Sequence, residues 1–235
     1  MLQTLLEKYR SCFHPVVPLQ EGEKAIPLNL SGTNNDLTPE IFGDTDLFSA
    51  YINLLLQIGG ARYGIGGYLE NRKVYARSRV FDAAASTEEP RTLHLGIDIW
   101  GKAGTPVMAP LDGIVHSTGN HPEYGNYGAT IILQHEMEGS TFFTLYGHLA
   151  FADLDIKMGE KVKAGQAFAH FGMPEENGQW PPHLHFQVIG DLQGNLGDYP
   201  GVCAPSKVEF YKGNCPDPTH LLAWQKNKLI SFPIV

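Results

Sequence analysis

Two short runs, His94-Leu-Gly-Ile-Asp98 and His183-Leu-His185-Phe, constrain the fold of this chain most, because they place four metal-capable groups on segments far apart in sequence. Side chains alternate on an extended strand, so positions i and i+4 face one way, as do i and i+2. His94 and Asp98 are therefore expected on one face, with Gly96 leaving the space between them open. His183 and His185 are expected on one face of a second strand, with Leu184 and Phe186 behind. A fold that uses both runs must lay the two strands side by side.

The remaining composition suits such a fold. A chain of 235 residues can bury a sizeable core, and 26 glycines with 16 prolines favour short strands joined by tight turns over a helical bundle. A net charge of −8, with no Lys/Arg cluster, argues against nucleic acid or an anionic membrane surface as partner. Cys12, Cys203 and Cys215 are an odd number without C-x-x-C spacing, which supports neither a disulfide framework nor a zinc knuckle. The first ten residues lack a basic signal-peptide start, and no apolar run reaches the eighteen or so residues of a membrane span. The expected location is cytoplasmic; the oligomeric state is left open.

In chain order, Leu2, Leu5, Leu6 and Tyr9 have the spacing of a short amphipathic helix, followed by a Pro-rich irregular stretch to about Asn35. Thr38-Pro39-Glu40 signals a helix start, and a helix is expected from near Asp46 to Gly59-Gly60. Residues 1–65 thus read as an N-terminal helical subdomain, 66–200 as a β domain and 201–235 as a C-terminal extension. Gly64-Ile-Gly66-Gly67 lacks the third glycine, the lysine and the helix signal of a nucleotide loop. Tyr68 to Tyr75 is expected as a hairpin. Strand pairs are expected around Gly104–Val115, Gly128–His135 with Thr141–His148, and Met158–Ala169. On the last strand of the second pair, alternation puts Thr144, Tyr146 and His148 on one face.

The ordered motifs resemble those of the lysostaphin-type, LytM-like zinc metallopeptidases, many of which cut peptide links of bacterial peptidoglycan. His94-x3-Asp98, Gly104-Thr-Pro-Val-x-Ala-x-x-Asp-Gly113, Tyr146-Gly-His148-Leu and His183-Leu-His185-Phe carry the likeness, over about residues 90 to 190. The resemblance implies a mainly β (α+β) fold with an antiparallel β-sheet core of the lysostaphin-type/biotinyl-hybrid kind and an N-terminal helical addition. It also implies that His94, Asp98 and His185 hold Zn2+, that His148 and His183 are the catalytic pair, and that the substrate is a peptide or muropeptide. Two neutral imidazoles and a carboxylate are a common catalytic zinc set, leaving one position for water. No His-Glu-x-x-His helix offers a glutamate base, so histidine is expected to move the proton.

Two differences set this chain apart. Secreted members have an export signal, which this chain does not show, and Asn177-Gly-Gln-Trp-Pro-Pro182 replaces the usual Gly/Ser/Thr-rich approach to the last motif. The Trp180-Pro-Pro182 segment is expected to wall the substrate groove, and the N-terminal helices to cover or shape it. His116, His121, His170 and His220 match no motif; His135 is placed outside the site. The rival readings are a non-haem Fe(II) enzyme with the same two-His-one-carboxylate set, a non-catalytic peptide-binding relative, and a carrier module. The carrier reading lacks a Met-Lys attachment hairpin.

Overall fold

The computed structural model describes residues 2–82 and 89–223. Helix α1 (Leu2–Tyr9) opens the chain, followed by β1 (Ala25–Leu28), α2 (Pro39–Gly43), α3 (Thr45–Gly59) and β2 (Tyr63–Gly66). The central part carries β3 (Leu93–His94), β4 (Ile97–Trp100), β5 (Pro106–Met108), β6 (Gly113–His121), β7 (Gly128–Met137) and β8 (Ser140–Leu149). The short strands β9 (Lys161–Val162) and β10 (Ala167–His170) precede β11 (His183–Ile189), β12 (Val202–Cys203) and α4 (Val208–Asn214). Eight strands form one sheet in the order β1-β2-β4-β11-β8-β7-β6-β9, and β10–β5 and β12–β3 make two small pairs. The fold is mainly β, and the large sheet is antiparallel except for its β1–β2 edge.

Alternation along these strands explains the two faces of the sheet. Ile97 and Ile99, Leu184 and Phe186, Ile131 and Leu133, and Tyr146 turn to one side. There they pack against Val107, Ala169 and Phe171 and against Phe13, Val16 and Val17 of the N-terminal segment. Burying each of these larger side chains contributes about 1.5–3 kcal/mol before entropy is counted. Asp98, Trp100, His183 and His185 alternate with them and so emerge on the opposite face.

Three expectations need correction. Residues 1–65 contribute helices, but also β1 and β2, which join the same sheet as β4 and β11. The sequence hid these strands because β1 contains Pro27, which an edge position tolerates, and β2 is half glycine. Residues 68–75 do not form a hairpin: Asn71 bridges Leu93, Ser31 bridges Arg72, and Lys73–Arg77 is a 3-10 turn. Its backbone pairs with distant chain instead of with itself. The C-terminal stretch is likewise built in, since β12 pairs Val202 with His94, while residues 224–235 lie outside the described residues.

Candidate metal centre and its histidine pair

β4 and β11 are neighbours, and their register sets His185 against Asp98 and His183 against Trp100. The two sequence runs therefore meet, though not as one straight strand: β3 ends at His94, the chain turns through Leu95-Gly96, and β4 begins at Ile97. A Cβ at Gly96 would stand 2.7 Å from the Phe186 carbonyl oxygen and 2.8 Å from His185 Cε1. Only glycine lets the chain pass this close to the imidazole.

Three donor atoms converge on one point. His94 Nε2 lies 3.0 Å from His185 Nδ1, and each lies 3.2 Å from Asp98 Oδ1. All three residues are buried, as are His148 and His183. The outer nitrogen of each imidazole is already engaged. His94 Nδ1–H donates to the Gly67 carbonyl (2.9 Å) and His185 Nε2–H to Gln187 Oε1 (2.9 Å). His183 Nδ1–H donates to the Pro181 carbonyl (2.8 Å) and His148 Nδ1–H to that of Asn177 (2.8 Å). In these tautomers every inner nitrogen presents a lone pair.

Burial, reinforced by the Arg72 guanidinium, pushes the His94 imidazole down to about 4, and burial pushes His183 down to about 4. Burial also depresses His148, with the neighbouring His183 adding to the effect. For Asp98 burial favours the acid, but His94 and Arg72 outweigh it and hold the carboxyl well below its usual range. In these tautomers two imidazole lone pairs and a carboxylate oxygen face one another within 3.2 Å. Such a cluster is stable around a cation. Tetrahedral bonds of about 2.0–2.1 Å separate ligand atoms by roughly 3.3 Å, so the triangle fits zinc. The bonds to Gly67 and Gln187 are the outer partners that ligating imidazoles ordinarily have.

The other two histidines lie beside this triangle. His183 stacks on Trp100 (centroids 3.9 Å, 15° between planes) with Nε2 4.0 Å from Asp98 Oδ1. His148 lies 4.1 Å from His183, centroid to centroid. His148 is not on the face expected for it. Tyr146 sits in the apolar core opposite Phe186, so plain alternation would point His148 away from the site as well. A β-bulge intervenes: Ala129 pairs with Leu149 but Ile131 with Tyr146, leaving an extra residue in β8. His148 takes φ 61°, and its N–H bonds the Tyr127 carbonyl. Bulges of this kind re-aim side chains at functional sites.

A cavity of about 260 Å³ opens in front of these groups, lined among others by Tyr75, Trp180, Tyr127 and Tyr199. Trp180 forms part of its wall and packs against Phe48 of α3, so the N-terminal helices support the groove from behind. Asn177 fixes this loop, its amide bonding both the N–H and the carbonyl of Trp180.

The sequence model of Peptidase family M23 matches residues 92–195, the stretch that holds all five residues. This stretch is an M23 peptidase domain. The chain is 39% identical over 97 residues to the peptidoglycan DD-endopeptidase ShyA of Vibrio cholerae, covering 41% of this chain and 20% of that protein. It is 27% identical over 130 residues to the L-Ala–D-Glu endopeptidase of Bacillus subtilis, covering 52% of this chain and 38% of the relative. The M23 matches thus span well under two thirds of these relatives. A solved zinc-containing peptidase from V. cholerae matches with 34% identity and TM-score 0.33, over 41% of this chain and 27% of that one.

Some supporting residues had no motif to announce them. Gln187, two residues after His185, shares its strand face and was legible by alternation. Arg72 and Asn177 were not, because their roles depend on backbone that folds back from outside the motifs.

Proposed function

We propose that this chain is a zinc-dependent metallopeptidase acting on peptidoglycan-derived peptides, with His94, Asp98 and His185 holding the metal. The observation that carries this reading is the triangle of ligand atoms, 3.0–3.2 Å apart, with the outer nitrogens of both imidazoles occupied. Bound there, zinc would polarise the scissile carbonyl and acidify water. His148 and His183 keep one free ring nitrogen each and are neutral at pH 7, so they can accept the proton released as the water oxygen joins the carbonyl carbon. They then return it to the amine nitrogen as the C–N bond breaks. The Trp100 stack and the two carbonyl bonds keep them oriented. The donor set is common to zinc and non-haem Fe(II) sites, and it is the adjacent His148–His183 pair, a proton acceptor beside the triangle, that favours the hydrolytic reading.

The peptidoglycan substrate rests on what the matched relatives are named for, and soluble muropeptides suit the cytoplasmic location we propose. Zinc-loaded protein incubated with muropeptides and with a mixed peptide library, products read by mass spectrometry, tests it. Muropeptide cleavage that His183→Ala abolishes is the expected result. Cleavage of ordinary peptides alone would overturn the substrate, and no metal-dependent product from either would leave a binding protein.

A further inference from the structure

The two oxygens of Asp98 have different neighbours. Oδ1 points into the triangle, while Oδ2 accepts from Nη1 of Arg72, a guanidinium only 2% exposed. Arg72 is held on its other side, where Nε donates to Glu70 Oε2 at 2.7 Å. Glu70 is anchored in turn by the Leu30 N–H at 2.8 Å. The backbone ties this relay to the first histidine: His94 N–H bonds the Glu70 carbonyl and Arg72 N–H that of Thr92. Strand β2 is shaped for it, because a Cβ at Gly66 would collide with Arg72 Nη2 and lie 3.3 Å from Trp100 Nε1. The glycine run that looked like a weak phosphate loop is the bed of a buried arginine.

Resting on the metal reading above, we propose that Arg72 is a positioning residue that reserves Oδ2 of Asp98, makes this carboxylate a one-oxygen ligand, and so keeps a coordination position free for water and substrate. A carboxylate with both oxygens free can chelate a metal; one whose second oxygen is tied to a fixed guanidinium cannot do so without breaking a buried ion pair. The fork geometry is specific to arginine, since a lysine ammonium has no planar pair of donors for Glu70 and Asp98 at once.

The test uses the full chain and two readouts that do not depend on turnover: zinc affinity by chelator competition and the visible spectrum of the cobalt(II)-substituted protein. The wild type should show the intense bands of four-coordinate cobalt. Arg72→Met should show the weaker bands of a five-coordinate ion, with zinc affinity changed about 10–100-fold. Arg72→Lys should not restore the wild-type spectrum. Gly66→Ala keeps the charge but pushes the guanidinium aside, and should move the spectrum in the same direction. If Arg72→Met fails to fold, Gly66→Ala and Glu70→Gln decide. Wild-type spectra and affinities in the folded variants overturn the role of Arg72; a wild type that binds neither zinc nor cobalt overturns the metal reading itself.

Discussion

His135 and the His148–His183 pair lie on the same sheet and are alike by the usual marks of a functional histidine. His135 is 1% exposed and burial pushes it down to about 4, as burial does His183. The difference lies in valency. His135 spends both ring nitrogens inside the protein, Nδ1–H on the Asp112 carbonyl (2.9 Å) and Nε2 on the Thr144 hydroxyl (2.7 Å). His148 and His183 spend one each and face the cavity with the other. Burial and low basicity thus mark any histidine in a dry interior, while an unspent nitrogen beside open space marks one that can handle a proton.

Substitution should separate the two classes. His148→Ala or His183→Ala is expected to lower kcat by about 10²–10⁴-fold, with zinc content by atomic absorption unchanged. The comparison breaks if either variant keeps wild-type kcat. A subtler change tests the metal triangle alone: Gly96→Ala puts a methyl group against the His185 ring and should weaken zinc binding by roughly 10–100-fold while sparing the histidine pair. His135→Leu, by contrast, leaves the Asp112 carbonyl and the Thr144 hydroxyl without their partner. It should cost about 1–3 kcal/mol in denaturant unfolding, with kcat per folded molecule unchanged.

Acid sharpens the contrast further. The folded values of His94, His135 and His183 lie near 4, below the ordinary 6.5, so between these limits the unfolded chain binds more protons than the folded one. Stability of the metal-free protein should be intact above about pH 6.5 and fall as pH drops toward 4, where the depressed His148 and Asp98 carry the loss further. Thermal melts in the presence of a chelator measure this, and the loss should reach several degrees in Tm. His135→Leu should remove part of the slope, because one of the groups is gone. An unchanged slope would mean that His135 is not the cold, neutral group its burial implies.

The same contrast explains what could be read from the sequence. Fixed spacing on regular strands was legible: His183 with His185, and the alternation that buries Leu184 and Phe186, follow from period two. His94 and Asp98 do meet, but through a break at Leu95-Gly96 and not along one strand. His148 reaches the cavity only because a bulge and φ 61° override alternation, and the one local hint of that bulge is Gly147 inside the strand, which does not say where the next side chain will point. The β1–β2 edge was hidden by proline and glycine, whose meaning there is tertiary: Gly64 lies under Leu28 and Gly66 under Arg72. Arg72 itself is ordinary in sequence; its contact with Asp98 exists only once residues 69–72 have paired beside β3.

The smallest effect is expected at a histidine that shares neither property. His170 is exposed and its Nδ1 lies 3.1 Å from Asp153 Oδ1, while its backbone N–H bonds Oδ2 of the same carboxylate at 2.6 Å. His170→Ala removes the side-chain contact but keeps the backbone one, so the turn that Asp153 fixes should survive. Water screens such an exposed pair, and the expected loss is at most about 0.5 kcal/mol, with kcat and zinc stoichiometry as in the wild type. Zinc titration of this variant also tests how far the rule of the open nitrogen reaches. A solvated imidazole has a free nitrogen too, yet no carboxylate oxygen and second imidazole arranged around a shared point. If His170→Ala lowered the bound zinc, an open nitrogen alone would suffice for binding, and the convergence at Asp98 would not be what sets the site apart.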